Sequence, residues 1–536
     1  MLVNKKNLEI NRLIRFFSIM TLFISLVLFS PIAVATTPVY ENPTEIFSTY
    51  IGGSGDELNQ NTNDLAEINV AYDSAGNIIV AGRSGSDDYP IENALYNESA
   101  GNVDMVISKF SNDGQTLLFS TYFGGSQDDW ATDVVVDSND DIVVVGSSSS
   151  LDFPTVNPYQ GSKKGGTLDI VLLKIDGETN EIIFSTYFGG SYSDWGYALD
   201  VDSENNIAIT GSTYSTDLPL MNEIQSSNIG GVSAYISEFS PDGQTLLFST
   251  FWGSTSNDWG VDIVYDSEDC IIISGGTMSL NFPTENAIQD SKMIGIDAIV
   301  VKVDNSNTLV FSTMVGSDGA DRPYGVAVNQ DDEIFVCGES NERNYGDISQ
   351  TTIDKGKGNK ELWVFQLTAD GQNMPFMGFY GGSEDDIAYG IEIKGDYIYL
   401  AGVAQASKDF PLEKSFRDFS DGNDMVLMVL NNNFKIIYSN CFGGSGDDIG
   451  RGLCLLPNNE ILLLGVSSSS DLPLSNAFMA NKTGSTDYDM AIMKMFLNPE
   501  LRINNPNPTI SGSWEFTLLP IIGTVSFILN KKRKSI

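Results

Sequence analysis

Histidine is absent from all 536 residues. Chemistry must therefore come from carboxylates, tyrosines, lysines or arginines. Ser-His-Asp and Cys-His nucleophiles, His-ligated zinc and imidazole proton shuttles are excluded. The carboxylates are patterned. Turns of the Gly-Gly-Ser type are followed by Asp56, Glu57, Asp128, Asp129, Asp194, Asp258, Asp321, Asp385, Asp386, Asp447 and Asp448. The adjacent pairs Asp128/Asp129, Asp385/Asp386 and Asp447/Asp448 are the best candidates for Ca²⁺, a hard cation that takes about six to eight oxygens. The competing reading is that each Asp caps its own turn by accepting backbone N–H groups. Capping is the stronger reading, because a motif that recurs in every unit serves the frame before it serves one site. Calcium is thus the one cofactor suggested, and none is required. Trp130, Trp195 and Trp259 follow the acid in three successive units and are candidate ligand-face residues that would stack on sugars. Ile387 and Ile449 fill the same slot later, which favours packing.

Two further acids break the repeat. Asp200 and Glu392 stand where sister units carry Ala71, Val135, Val264, Ala327 and Cys454. They are the marks expected of a carboxylate-based enzyme, the rival to a binding role. Cys270, Cys337, Cys441 and Cys454 show no paired spacing and read as small buried hydrophobes.

The elements that position these residues are strands. Residues 119–126, FSTYFGGS, recur at 184–191, and degenerate copies begin at Phe47, Phe248, Phe311, Phe376 and Tyr438. The spacings run from 62 to 72 residues. One unit holds four apolar runs, at 133–137, 142–146, 169–175 and 181–188, here called strands A, B, C and D. Short turns join them except at B–C, where a polar loop intervenes. The runs are continuously apolar rather than alternating, as expected of strands covered on both faces. Four antiparallel strands per unit and seven units predict an all-β fold, a seven-bladed β-propeller. The chain opens on a D-type strand at 45–51 and closes on a C-type strand at 489–496. The first should therefore complete the last blade and remove the free edges. In such a blade the D–A turns and the B–C loops share one face of the disc, the first face. That face carries the turn acids and the long loops, and function is expected there. Five B–C loops carry Asp-x-Pro, as in Asp152-Phe153-Pro154, which reads as a loop anchor.

The unit F-S-T-Y-x-G-G-S-x-D-D, followed by V-D-S, V-x-G-S and D-(F/L)-P, resembles the SBBP repeat over residues 45–498. The resemblance implies a seven-bladed propeller in an exported protein and no established activity. The units starting at Phe248 and Phe311 depart most, the latter lacking Asp-x-Pro altogether.

The chain ends complete the expectation. Residues 1–35 read as a signal peptide, with a basic start, an apolar stretch at 16–28 and Ala33-Val34-Ala35 as cleavage site. Residues 36–44 form a lead-in, 45–498 the propeller and 499–513 a Pro/Asn-rich linker. Residues 514–530 form a hydrophobic anchor or sorting segment, and 531–536 a basic cytoplasmic tail. The whole chain has a formal charge of −42. Without its two basic ends the body keeps 21 basic and 69 acidic residues, a net −48. Such a body repels nucleic acid, which is excluded as a partner. The sequence thus predicts a monomeric binding or structural module at the cell surface. Its ligands would be extracellular protein or glycan, and it would touch the membrane through its C-terminal segment only.

Overall fold

The computed structural model describes residues 43–497 apart from 58–67, 293, 346–347, 406–408, 418, 420–421 and 484–487. The predicted signal peptide, linker, anchor segment and basic tail lie outside the described residues. Among those described, no helix is long and apolar enough to cross a membrane.

Seven antiparallel sheets form the blades. In blade 2, strand A is Asp129–Val136, B is Ile142–Ser148, C is Asp169–Ile175 and D is Ile182–Phe188. The ring closes as the sequence required. Thr44–Ile51 lies antiparallel on Asp489–Phe496, with Phe47 opposite Lys494 and Tyr50 opposite Ala491.

Two details correct the sequence reading. Strand A of blade 2 begins at Asp129, four residues before the apolar run. Its first half, Asp129-Trp130-Ala131-Thr132, is not a continuous apolar run, and a bulge between Ala131 and Asp133 resets which side chains face inward. The same bulge recurs in blades 3 to 7. Blade 5 has a fifth strand, Thr352–Lys355, lying parallel to its strand D, Phe376–Tyr380. It comes from the B–C loop that lacks Asp-x-Pro.

The apolar runs are buried on both faces. Every residue of strands B and C in blade 2 is buried. The core is divided into seven apolar layers, one between each pair of neighbouring blades. Between blades 2 and 3, Val143, Val145 and Leu172 meet Leu199, Ile209 and Tyr235. Burying each such aliphatic side chain contributes about 1.5–3 kcal/mol.

Candidate functional site

The first face is built on its turn acids. Asp129 is fully buried, and its Oδ2 accepts the Gly125 N–H at 2.6 Å and the Ser150 hydroxyl at 2.7 Å. Asp194, Asp386 and Asp448 accept Gly190, Gly382 and Gly444 in the same way. In blades 4 and 5, Asp258 and Asp321 accept Ser254 and Ser317. Glu57 does this for Gly53. These acids therefore cap the turns that precede them. Asp128 is exposed, while Asp385 and Asp447 are half-buried on the outer side of the turn. The Asp447 carboxylate accepts the Asn423 N–H at 3.3 Å. Among the described residues no group of three or more acids or cysteines is arranged to hold a metal ion.

A second acid stands beside most of these caps, a meeting that the separate sequence motifs do not reveal. Strand C of the preceding blade carries a buried carboxylate at its first or second residue in six blades, Asp104, Asp169, Asp297, Glu361, Asp424 and Asp489, with Ser233 in the seventh. A Cβ on Gly124 would collide with both Asp104 and Asp129, so the first glycine of the turn is dictated by the pair. Burial, helped by the neighbouring carboxylate, raises Asp129 to about 6, Asp448 to about 6 and Asp169 to about 7. Asp386 rises to about 8 through burial and then Glu361, and Glu57 to about 8 through burial and Asp489. Asp386 is the least supported of these. Ala404 stands opposite it, where Ser148 and Thr213 serve Asp129 and Asp194.

The Asp-x-Pro element fastens the B–C loop to this turn. Asp152 Oδ1 accepts the Ser126 N–H at 2.8 Å, and Asp88, Asp217, Asp409 and Asp471 repeat the contact. The hydrogen bond from the Ser126 backbone holds Asp152 below the ordinary carboxylate range. Phe153 is buried, and its N–H donates to the Tyr187 hydroxyl, which itself donates to Ser150 O. The Tyr of each FSTY strand thus staples its own blade's loop. In blade 5, Tyr345 takes over. Its hydroxyl reaches Asp321 and Ser340, and its ring stacks on Trp363 at 5.5 Å.

Trp130, Trp195 and Trp259 are half-buried. Each stands in strand A opposite a small residue of strand B: Ser147, Ser212 and Gly276. Only Trp195 has an aromatic neighbour at the surface, Tyr214, at 5.6 Å. The three tryptophans mark three blades and do not form one site.

The strand A bulges line a central channel of about 600 Å³. Near the first face it carries Tyr324, Tyr389 and Arg451, with the Arg451 guanidinium 4.0 Å over the Tyr389 ring. Deeper lie Asp133, Asp200, Asp262 and Glu392. Arg451 is the only base among the described lining residues. Asp133 Oδ2 accepts the Leu199 N–H, Asp200 Oδ2 the Tyr265 N–H and Asp262 Oδ2 the Val326 N–H, each a tie to the next blade. Asp200, which the sequence marked as out of pattern, is therefore engaged on both oxygens, by Tyr265 and Val201. Glu392 differs. No hydrogen bond engages it among the described residues, and burial, then the charges of Asp262 and Asp200, raise it to about 8. Asp133 and Asp262 escaped the sequence reading because the bulge just before their slot, which resets the strand's facing, leaves no mark in the apolar pattern.

A repeat-built propeller is the class that this fold and face define. The chain carries SBBP repeats: the family described as a beta-propeller repeat matches residues 118–154 and 183–219. Each match runs from strand D through the turn and strands A and B of the next blade to the Asp-x-Pro element. No curated protein matches the chain. Similar solved structures include a protein of unknown function from Dyadobacter fermentans, at 10% identity and TM-score 0.41, covering 86% of this chain and 100% of that one. The β-propeller domain of the Trilobed protease from Pyrococcus furiosus is 9% identical at TM-score 0.40, covering 84% and 99%. The polysaccharide lyase Uly1 is 7% identical at TM-score 0.41, covering 85% and 99%. These are likenesses of fold alone.

Proposed function

We propose that this protein is a binding module displayed outside the cell, which presents its first face to extracellular protein or glycan ligands. One observation carries the reading. All ten exposed large hydrophobic side chains among the described residues lie on first-face connections. Eight of them, including Leu151, Tyr192, Tyr214, Leu280 and Ile294, belong to blades 2 to 4. A soluble frame does not need apolar side chains concentrated on one sector, whereas an interaction surface does. The apolar stretches at 16–28 and 514–530 support export and a single membrane tether, with calcium as an optional ligand of the turn acids.

The test is a glycan and surface-protein array probed with the full chain. Leu280→Asp with Ile294→Asp should abolish capture, and substitutions in the second-face hairpins should not. Capture that depends on the hairpins would sink the reading.

The rival, a carboxylate-based carbohydrate-active enzyme, draws support from the unengaged Glu392 in the channel. Turnover of a polysaccharide that disappears in Glu392→Gln, with binding unchanged, would replace the binding reading.

A further inference from the structure

Most of the first face repeats from blade to blade, so a group that departs from the repeat in one place is not required by the frame. At the junction of blades 2 and 3 three rings converge. Tyr192 stands in the turn where other units have Gln127 or Ser256. Tyr214 immediately follows strand B where they have Ser149 or Ser468. Trp195 lies between them in strand A. Together with Gly166, Thr167 and Ser193 they line a surface cleft of about 360 Å³, within the size range of small-ligand sites.

The cleft is held open by its own backbone. Gly166 has φ +61°, and a Cβ there would strike Tyr192 and Ser193, so only glycine lets the blade 2 loop approach this turn. The Thr167 N–H donates to Ser193 Oγ at 2.8 Å, and the Tyr214 N–H donates to Ser193 O at 3.0 Å. Tyr192 is 59% exposed and Tyr214 47%. Their rings are available without any rearrangement.

We propose that this cleft binds one neutral saccharide unit of an extracellular glycan. The assignment rests on the first-face reading and deepens it. The Trp195 and Tyr214 rings are tilted by 53°, with centroids 5.6 Å apart. That splay suits a puckered, saturated ring, whose C–H faces pack on aromatic faces, better than a flat aromatic ligand, which wants parallel walls. The hydroxyls of Tyr192, Tyr214, Thr167 and Ser193 supply hydrogen bonds at the rim. Among the described residues no charged side chain lines the cleft. Lys163 Nζ donates to the Thr167 carbonyl behind the cleft, while the net charge of −42 on the whole chain disfavours anionic ligands.

The experiment is saturation-transfer NMR on the full chain with three probes: maltotetraose, cellotetraose and tetra-N-acetylchitotetraose. Tetragalacturonate serves as the anionic control. At least one neutral probe should receive saturation on its ring C–H protons, and the control should not. Tyr192→Ala removes an exposed ring and leaves the fold intact. It should weaken binding tenfold or more, Trp195→Phe should weaken it less, and Trp259→Phe should leave it unchanged. Failure of all three neutral probes overturns the assignment, as does binding that survives Tyr192→Ala with Tyr214→Ala. A protein captured through Tyr192 and Tyr214 without saccharide binding also overturns it, yet leaves the first-face reading standing. Saccharide binding that instead depends on the second-face hairpins overturns both.

Discussion

On the second face, lysines from strand C are buried against opposite charge. Lys174 Nζ lies 2.6 Å from Asp137, and Lys109, Lys302 and Lys494 lie 2.9, 2.7 and 2.6 Å from Asp73, Asp266 and Glu460. Each ammonium also donates to a carbonyl in the neighbouring blade: Lys174 to Pro241 O, Lys109 to Gly177 O, Lys302 to Ala369 O and Lys494 to Asn112 O. On the first face each turn-capping acid instead has another carboxylate beside it in most blades, such as Asp104 beside Asp129 and Asp424 beside Asp448. The same desolvation acts on both faces with different results. Burial alone would raise Asp73 and Asp266, but hydrogen bonds from Asn77 and Lys109, and from Lys302 and Cys270, hold them below their ordinary value. On the first face cations reach only some of the acids, Arg343 pairing with Glu361 and Lys292 with Asp297, whereas among the described residues none reaches Asp386 or Glu57, and these rise to about 8. One face is thus locked by charge pairing. The other depends on protons, and it is the face that carries the exposed rings and the long loops.

The sharpest way to break this contrast is Lys174→Ala. It strands Asp137 in the interior, and loss of one partner of a buried pair costs about 3–5 kcal/mol. Chemical denaturation should show that loss. Lys174→Met with Asp137→Leu should recover most of it. A loss under about 1 kcal/mol would show that the second face is not locked by these pairs.

The pH profile comes next. A raised folded-state value favours the protonated fold. The first-face and channel acids therefore contribute stability that is full below the unfolded value of about 4. That contribution is lost as pH rises through about 6 to 8, where Asp129, Asp169 and Asp386 titrate. Asp73 and Asp266 act in reverse, and their contribution is lost on acidification below about 4. Melting temperature should peak in mild acid and fall steadily toward pH 9. Self-repulsion of the acidic body falls in the same direction but is screened by salt. A decline that vanishes in 1 M NaCl would mean that the buried pairs play no part.

Asp386→Asn should remove part of that alkaline decline. The new amide can donate to Glu361 while its carbonyl keeps the Gly382 N–H. At pH 9 the variant should be more stable by on the order of 1 kcal/mol, and at pH 5 it should match the parent. Destabilisation at both pH values would show that the carboxylate is needed as an anion.

The smallest effect concerns calcium. Millimolar CaCl₂ and NaCl at matched ionic strength should shift melting alike, because the inner acids already serve backbone amides. A shift specific to calcium would give Asp128, Asp385 and Asp447 the metal role that their sequence pattern suggests.

Repeats, strand order and ring closure could be read from the sequence because each depends on local pattern and on counting. Apolar runs such as IVVVG and DIVLLKI specify strands covered on both faces, and a chain with a spare D strand first and a spare C strand last can satisfy its edges only by joining them. The Asp-x-Pro anchor was legible for the same reason, since one apolar residue before a fixed φ has few uses in a loop. The fifth strand of blade 5 was not. Thr352–Lys355 is short and exposed, and only the edge of strand D gives it a partner.

The sequence by itself determined the fold, the face that bears the loops and the turn-capping duty of the recurrent acids, because hydrophobic period and turn chemistry act over a few residues. Which acids meet was decided by the tertiary structure alone. Asp104 and Asp129 are 25 positions apart, and Asp133 and Glu392 line one channel from opposite parts of the chain. Asp200 broke the repeat in the sequence and proved to be tied to Tyr265, whereas Tyr192, Trp195 and Tyr214 became one cleft. Interactions between charges, and between rings, depend on distance and on the surrounding dielectric, and both are set by how blades stack rather than by any residue's neighbours along the chain.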